Sequence, residues 1–100
     1  MFLGIYELGD TLEAHIQLAD GNAPATADAD PTFRIYKGET STPVQTGTAS
    51  GVVDSQTGWH KISQALTAGN SFASGTVYTI RVAYDVSSVA KAQEYSFQIA

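Results

Sequence analysis

The sequence contains no cysteine, and only five of its 100 residues are lysine or arginine. Without cysteine the chain has neither disulfides nor thiolate metal ligands, so it is compatible with a reducing compartment. The five basic residues are scattered among ten acidic ones, and the net charge is −5. Because nucleic acids and anionic membranes are bound through clustered lysine and arginine, neither is an expected partner.

Long apolar runs are also missing. The N-terminus, MFLGIYELGD, lacks the basic start and the uninterrupted apolar stretch of a secretion signal. No segment approaches the ~20 apolar residues that a membrane-spanning helix requires. The initiator methionine favours a complete gene product that remains where it is made, and the length predicts one domain over residues 1–100.

The sequence is rich in two-residue alternation of apolar and polar side chains, the pattern of a strand with one buried face. Weaker strands are predicted near 2–8, 43–53 and 58–63, and one helical turn near 63–69. About seven short strands separated by Gly, Asn, Asp and Ser predict an all-β fold, an immunoglobulin-like antiparallel β-sandwich. The strongest alternation predicts these inward-facing residues: Leu12, Ala14, Ile16, Leu18, Phe33, Ile35, Tyr78, Ile80, Val82, Tyr84, Tyr95, Phe97 and Ile99.

Tyr78 supports the immunoglobulin-like prediction. It follows Gly75 at the entry to the second-last strand, where such sandwiches place a tyrosine whose hydroxyl binds loop backbone. The alternative, which the sequence leaves open, is an ordinary core tyrosine. The disulfide that joins the two sheets of antibody domains is absent, and we expect Ile16, Val82 or nearby apolar residues to fill its place.

The segment ADGNAPATADADP, residues 19–31, is the most polar connection in the chain. Asp20, Asn22, Asp28 and Asp30 offer oxygen atoms to Ca²⁺, but the DxDxDG…E spacing of a calcium loop is missing. The alternative is a solvated or partner-contacting turn that includes Pro24. We therefore expect neither a metal nor a cofactor.

The residue types needed for catalysis do not form a recognisable set. His15 and Glu13 share an exposed strand face, but side chains two residues apart on a strand stand ~7 Å from each other. There is no cysteine, and no serine lies in a Gly-x-Ser-x-Gly turn. His60 follows Trp59 in a strand whose inward face the sequence leaves open, and two histidines without matched spacing do not predict a zinc site. We expect a non-enzymatic protein.

Exposed aromatic side chains are candidate interface anchors. Tyr36 falls on the outward face of its strand, while Phe2 and Leu3 lie at a terminus that other parts of the chain need not cover. Alternatively, a terminal strand that pairs into the sheet would bury Phe2 and Tyr6. Tyr36 and Trp59 are also the residues that a carbohydrate-binding platform would use.

Three segments carry a resemblance to a known family: LGDTLEAHIQLADGNAPATADADPTFRIYKG, GTASGVVDSQTGWHKIS and SFASGTVYTIRVAYDVSSVAKAQEYSFQIA. They resemble small immunoglobulin-like structural proteins of tailed bacteriophages. The shared features are a GD turn into the first long strand, an ADG loop, and strands of the PTFRIY, GTVYTIRV and FQI type. The likeness covers nearly the whole chain, and its motifs are structural.

The resemblance implies a virion component without catalytic residues, assembled in the host bacterial cytoplasm. A short separate chain favours a capsid decoration or cement protein, which binds the outer lattice of the major capsid protein and forms a homo-oligomer such as a trimer. The alternative is a tail- or fibre-associated module that binds a host receptor or glycan. We expect deletion of residues 22–29 to abolish capsid binding while the fold remains intact. The residues expected at an interface are Phe2, Leu3, Asp20, Asn22, Pro24, Asp28, Asp30, Tyr36 and Trp59.

Overall fold

The computed structural model describes residues 1–38 and 40–100, and its regular structure is almost entirely β. Within these residues seven strands have four or more residues, and two more form a short two-residue pair. The strands are β1 (Phe2–Tyr6), β2 (Thr11–Gln17), β3 (Ala19–Asp20), β4 (Ala23–Pro24), β5 (Thr32–Lys37), β6 (Gln45–Thr48), β7 (Trp59–Ala65), β8 (Thr76–Val86) and β9 (Val89–Ile99).

The long strands form two sheets. Five strands make one sheet in the order β1-β9-β8-β5-β6, and β2 pairs with β7 in the other. All pairs are antiparallel except β1, which runs parallel to β9. The order β9-β8-β5 opposite β2-β7 is that of immunoglobulin-like sandwiches. The predicted immunoglobulin-like β-sandwich of about seven strands is confirmed.

The core lies where the alternation predicts it. Every residue expected to face inward is buried except Tyr95, which is half-buried. Its side chain packs against the core, and its hydroxyl donates a hydrogen bond to Gln93 Oε1. Ile16 and Val82 belong to one core cluster, so apolar packing joins the sheets where antibody domains have a disulfide.

Tyr78 forms the predicted tyrosine corner. The residue is fully buried, and its hydroxyl accepts a hydrogen bond from the Ala73 backbone N–H at 2.9 Å. Its ring stacks on Phe97 at a centroid distance of 5.4 Å and meets the edge of Phe72 at 5.0 Å. The phenol therefore fixes the loop before β8 to the centre of the core.

The predicted helical turn at 63–69 is wrong. Strand β7 continues to Ala65, which pairs with Thr11, and the Leu66 N–H still donates to the Asp10 carbonyl at 2.8 Å. These cross-strand bonds satisfy backbone groups that a helix would otherwise have used. A single 3₁₀ turn follows at Ala68–Asn70. The predicted ends of the weaker strands also differ from the observed ones. The strand expected over 43–53, for example, extends only over β6, Gln45–Thr48.

Strand β1 contains a bulge that determines which of its side chains are exposed. Gly4 has φ +134°, and the pairing with β9 shifts between Phe2 and Ile5. As a result Leu3 and Tyr6 pack against the core, whereas Phe2 and Ile5 are 55% and 64% exposed. The strand does pair into the sheet, yet the expectation that this pairing buries Phe2 is wrong, because the bulge turns its side chain outward.

We expect Tyr78→Phe to lower the free energy of unfolding by about 1–2 kcal/mol, because the part-buried Ala73 N–H loses its acceptor. Urea denaturation monitored by the fluorescence of Trp59, the single tryptophan, measures the change. Tyr36→Phe is the control, since the Tyr36 hydroxyl makes no hydrogen bond within the described residues. Equal losses in the two variants would contradict the role assigned to the corner.

Candidate functional site

Asp28 ties the aspartate-rich loop to the β8–β9 turn. Its two carboxylate oxygens accept hydrogen bonds from the Ser87 N–H at 3.1 Å and the Ser88 N–H at 2.8 Å, and its own N–H donates to the Asp85 carbonyl. Ser87 and Ser88 have φ of 50° and 65°, as a tight two-residue hairpin turn requires. Asp28 therefore has a structural role that the sequence did not reveal, because these partners lie 59 and 60 residues away.

The rest of the loop is also folded against the sandwich. Asp20 forms an ion pair with Lys91 at 3.0 Å, and the backbone of Ala19 both donates to and accepts from the Tyr84 hydroxyl. Ala25 is buried, and its N–H donates to the Leu18 carbonyl at 3.0 Å.

Gly58 packs against this loop, and a Cβ there would collide with the Ala25 carbonyl oxygen. Deletion of residues 22–29 would remove the buried Ala25 and the Asp28 carboxylate, so this variant tests capsid binding only if its stability is measured as well. Asn22, Pro24 and Asp30 remain exposed and free to contact a partner.

The loop's carboxylates are used largely within the fold. Asp20 is paired with Lys91, and Asp28 is bound by backbone amides. Across residues 1–38 and 40–100 there is no group of three or more His, Cys, Asp or Glu side chains able to hold a metal ion. The described helical segments, in turn, include none long and apolar enough to cross a membrane.

The outward face of the β2–β7 sheet carries a stacked pair of rings. His15 lies on Trp59 with ring centroids 4.7 Å apart and an angle of 26° between the planes. Glu13, on the same face as predicted, forms an ion pair with Lys61 at 3.7 Å. His15 and Glu13 are thus each held by a residue of β7.

His60 faces the opposite way. It is 3% exposed, and its Nδ1 lies 2.8 Å from the Ser50 carbonyl oxygen, so Nδ1 is the donor because a carbonyl only accepts. Ile62, two residues further along the strand and therefore on the same face, is also buried, whereas Trp59 is half-exposed. The question that the sequence left open is therefore answered: His60 and Ile62 face the core.

A polar network closes the side of the sandwich between β2 and β9. The Gln93 amide donates to the Gln17 carbonyl at 2.8 Å and to the Tyr84 hydroxyl at 3.3 Å, while Gln93 Oε1 accepts from Tyr95. Burial raises the pKa of Tyr95 above its ordinary value of 10.0, and the nearby Tyr84 raises it further. The phenol therefore stays protonated and able to donate.

The outward face of the five-stranded sheet exposes apolar side chains beside β1. Ile5 lies opposite Gln98, which lies opposite Val77, so the three side chains form one row across β1, β9 and β8. Ile5 and Val77 are 64% and 50% exposed. Sequence reasoning missed both, although the alternation that sends Tyr78 inward sends Val77 outward.

A second row lies directly beside the first. In this row Phe2 on β1 lies opposite Ser96 on β9, and Ser96 lies opposite Thr79 on β8. Thr79 in turn lies opposite the half-buried Tyr36 on β5. Two of the predicted anchors therefore share one face of the molecule. We name the exposed apolar residues of this face, together with the tyrosine at its end, the apolar patch: Phe2, Ile5, Val77 and Tyr36.

The other predicted interface residues are distributed elsewhere. Leu3 packs against the core, and the loop residues lie at the end of the sandwich that holds the β8–β9 turn. Trp59 lies on the outward face of the β2–β7 sheet, on the opposite side from Tyr36. A single carbohydrate platform formed by Tyr36 and Trp59 is therefore wrong, because the core separates their faces.

The chain matches no protein-family model, no curated protein and no solved structure. The apolar patch exposes three large apolar side chains on one sheet face, and such patches commonly mark interaction sites.

We expect Asp28→Ala to lower the free energy of unfolding by about 1 kcal/mol, because the Ser87 and Ser88 amides lose a charged acceptor at an exposed site. Amide hydrogen exchange by NMR should show faster exchange at these two residues. Asp30→Ala, which changes an exposed carboxylate of the same loop, is the control and should change stability by less than about 0.5 kcal/mol. Unchanged exchange in Asp28→Ala would contradict the assigned role.

We expect His15→Ala to open one face of the Trp59 indole and so to increase quenching of its fluorescence by iodide. Loss of the exposed ring pair should also lower the free energy of unfolding by about 0.5–1 kcal/mol. Thr11→Ala, at the far end of the same strand, is the matched control. If quenching is the same in both variants, the stack does not persist in solution.

Proposed function

We propose that the chain is a non-enzymatic structural protein of a tailed bacteriophage, and specifically a decoration protein that binds the outside of the head lattice. The proposal combines the resemblance of its motifs with the apolar patch. A small sandwich whose loops are fixed to the core suits a role in which one rigid surface binds the same site many times.

The apolar patch is the observation that carries the proposal. Phe2, Ile5 and Val77 are each at least half exposed, and the rows place Phe2 and Ile5 on β1 and Val77 two strands away, across Gln98. Burial of such side chains against a partner contributes roughly 25 cal/mol per Å² of apolar surface. A weak contact of this kind gains strength when many copies bind a repeated lattice.

A tail- or fibre-associated module that binds a host receptor or glycan is the alternative. It has less support, because Tyr36 and Trp59 lie on opposite faces and cannot stack on one sugar chain. The His15–Trp59 pair is the remaining aromatic surface on the β2–β7 side.

The test compares the binding of a triple patch variant and a double control variant to purified heads of the phage that encodes the chain. Phe2→Ser, Ile5→Ser and Val77→Ser together should weaken binding at least about tenfold, because they remove the apolar anchors of the interface. Val52→Ser and Val89→Ser, which lie outside the apolar patch and are 48% and 56% exposed, form the control.

Three outcomes would contradict the proposal. Equal binding by the patch variant and the control would exclude the apolar patch as the contact. Failure of the unaltered protein to bind heads would exclude head decoration. Mass spectrometry of virions that finds only a few copies, all with the tail fraction, would favour the alternative module.

A further inference from the structure

The outward face of the five-stranded sheet also carries charges of opposite sign in two separate rows. Arg81 on β8 lies directly opposite Arg34 on β5, and we name this pair the basic row. Asp85 lies four residues after Arg81 on β8, and Asp30 lies four residues before Arg34, just ahead of β5. These two aspartates line one shallow depression, and we name them the acidic row.

Only small side chains separate the two charged rows. Ala92, Ala83, Thr32 and Thr48 lie in register across β9, β8, β5 and β6, and all four are exposed. We name these residues the small row. Because no large side chain projects from it, another flat surface can approach the backbone closely there.

The basic row is not fully compensated within the chain. Arg81 forms an ion pair with Glu94 at 3.5 Å, but none of the ion pairs among the described residues includes Arg34. Like charges directly opposite each other on neighbouring strands lower the stability of a sheet. A negative partner above Arg34 and Arg81 would remove that repulsion.

We propose that this face binds a second copy of the chain through a two-fold axis that runs along the small row. Rotation about this axis reverses the strand direction but keeps β8 over β8 and β5 over β5. Arg81 of each copy then faces Asp85 of the other, and Arg34 faces Asp30. The interface is self-complementary, as a symmetric dimer requires.

The dimensions of the face fit this arrangement. The charged rows lie about 14 Å apart, at about 3.4 Å per residue, so each is roughly 7 Å from the axis. Packed sheets cross at about 30°, which displaces opposing charges by roughly 4 Å, a distance that the arginine side chain can span. The four strands that carry the small row span about 19 Å, and the charged rows with their side chains cover about 20 Å along them, so the face buries roughly 400 Å² per copy, the size of a weak interface.

The dimer adds a consequence to the proposed function without depending on it. The apolar patch lies beyond the basic row on the side away from the axis. Each dimer would therefore present two such patches at opposite ends, and bivalent attachment strengthens binding to a lattice. Dimerisation is measured without any phage particle, so failure of one proposal is distinguishable from failure of the other.

Sedimentation equilibrium up to a protein concentration of about 1 mM tests the dimer. Arg34→Glu and Asp30→Arg should each raise the dimer dissociation constant at least about tenfold, because each creates two like-charge contacts related by symmetry. The double variant Arg34→Glu/Asp30→Arg should return the constant to within about threefold of the original. Added salt should weaken the unaltered dimer, because it screens the charge pairs.

The two positions were chosen so that folding is preserved. Glutamate at position 34 would lie opposite Arg81, which is a favourable pair, and the Asp30 side chain makes no hydrogen bond within the described residues. Glu7→Arg, an exposed acid-to-base change in the β1–β2 connection, is the matched control.

Four outcomes would overturn the proposal, provided that circular dichroism shows folded variants. They are a monomeric unaltered protein at all concentrations, single variants that dimerise normally, a double variant that stays monomeric, and a Glu7→Arg variant that weakens the dimer as much as Asp30→Arg does.

Discussion

The β8–β9 ladder is the constraint on which the rest of the structure depends. Eleven residue pairs run from Thr76 and Ile99 at one end to Val86 and Val89 at the turn. Because side chains alternate along a strand, this one register decides the core and the surface together. It brings Tyr78 against Phe97 inside, and it aligns Arg81 with Glu94 and Ala83 with Ala92 outside. A shift by one residue would place the apolar set in water.

The loops are positioned by the ends of this ladder. At one end the Tyr78 hydroxyl binds the Ala73 N–H and fixes the connection that enters β8. At the other end Asp28 binds the turn between β8 and β9 and so ties the loop from β2 to β5 to the sheet. Polar residues in the connections therefore act mainly on the fold, and the flat outward faces of the sheets are left as the surfaces on which a partner can bind.

The parts of the fold that the sequence predicted are those governed by local alternation. Leu12 to Leu18, Phe33 to Ile35 and Tyr78 to Tyr84 each show the period of two that a half-buried strand needs, and the structure buries the expected residues. The bulge at Gly4 was not predictable in this way, because a single residue with positive φ reverses the parity after it. The sequence also left open which of Trp59 and His60 faces the core. Both side chains are large and amphipathic, so the alternation of apolar and polar residues does not assign them to a face.

The candidate surfaces could be predicted only in part, because they depend on which strands are neighbours. Tyr36 was identified as outward-facing from β5 alone, but its position in a row with Phe2 requires the pairing of β1 with β9 and of β9 with β8. The bond from Asp28 to Ser88 spans 60 residues and leaves no local signal. Cross-strand rows of this kind are a property of register, which a single sequence does not specify.

The like-charged pair Arg34 and Arg81 has a physical consequence for how the outward face is used. Two arginines opposite each other in an isolated sheet lower its stability by a few tenths of a kcal/mol or more, and Glu94 compensates only one of them. The same pair raises the affinity for any surface with matching negative charge, and the acidic row Asp30 and Asp85 lies at the right spacing on a second copy. In the proposed dimer the opposite charges favour the register that places Arg81 over Asp85 and Arg34 over Asp30, whereas stacking of the two basic rows would bring like charges together.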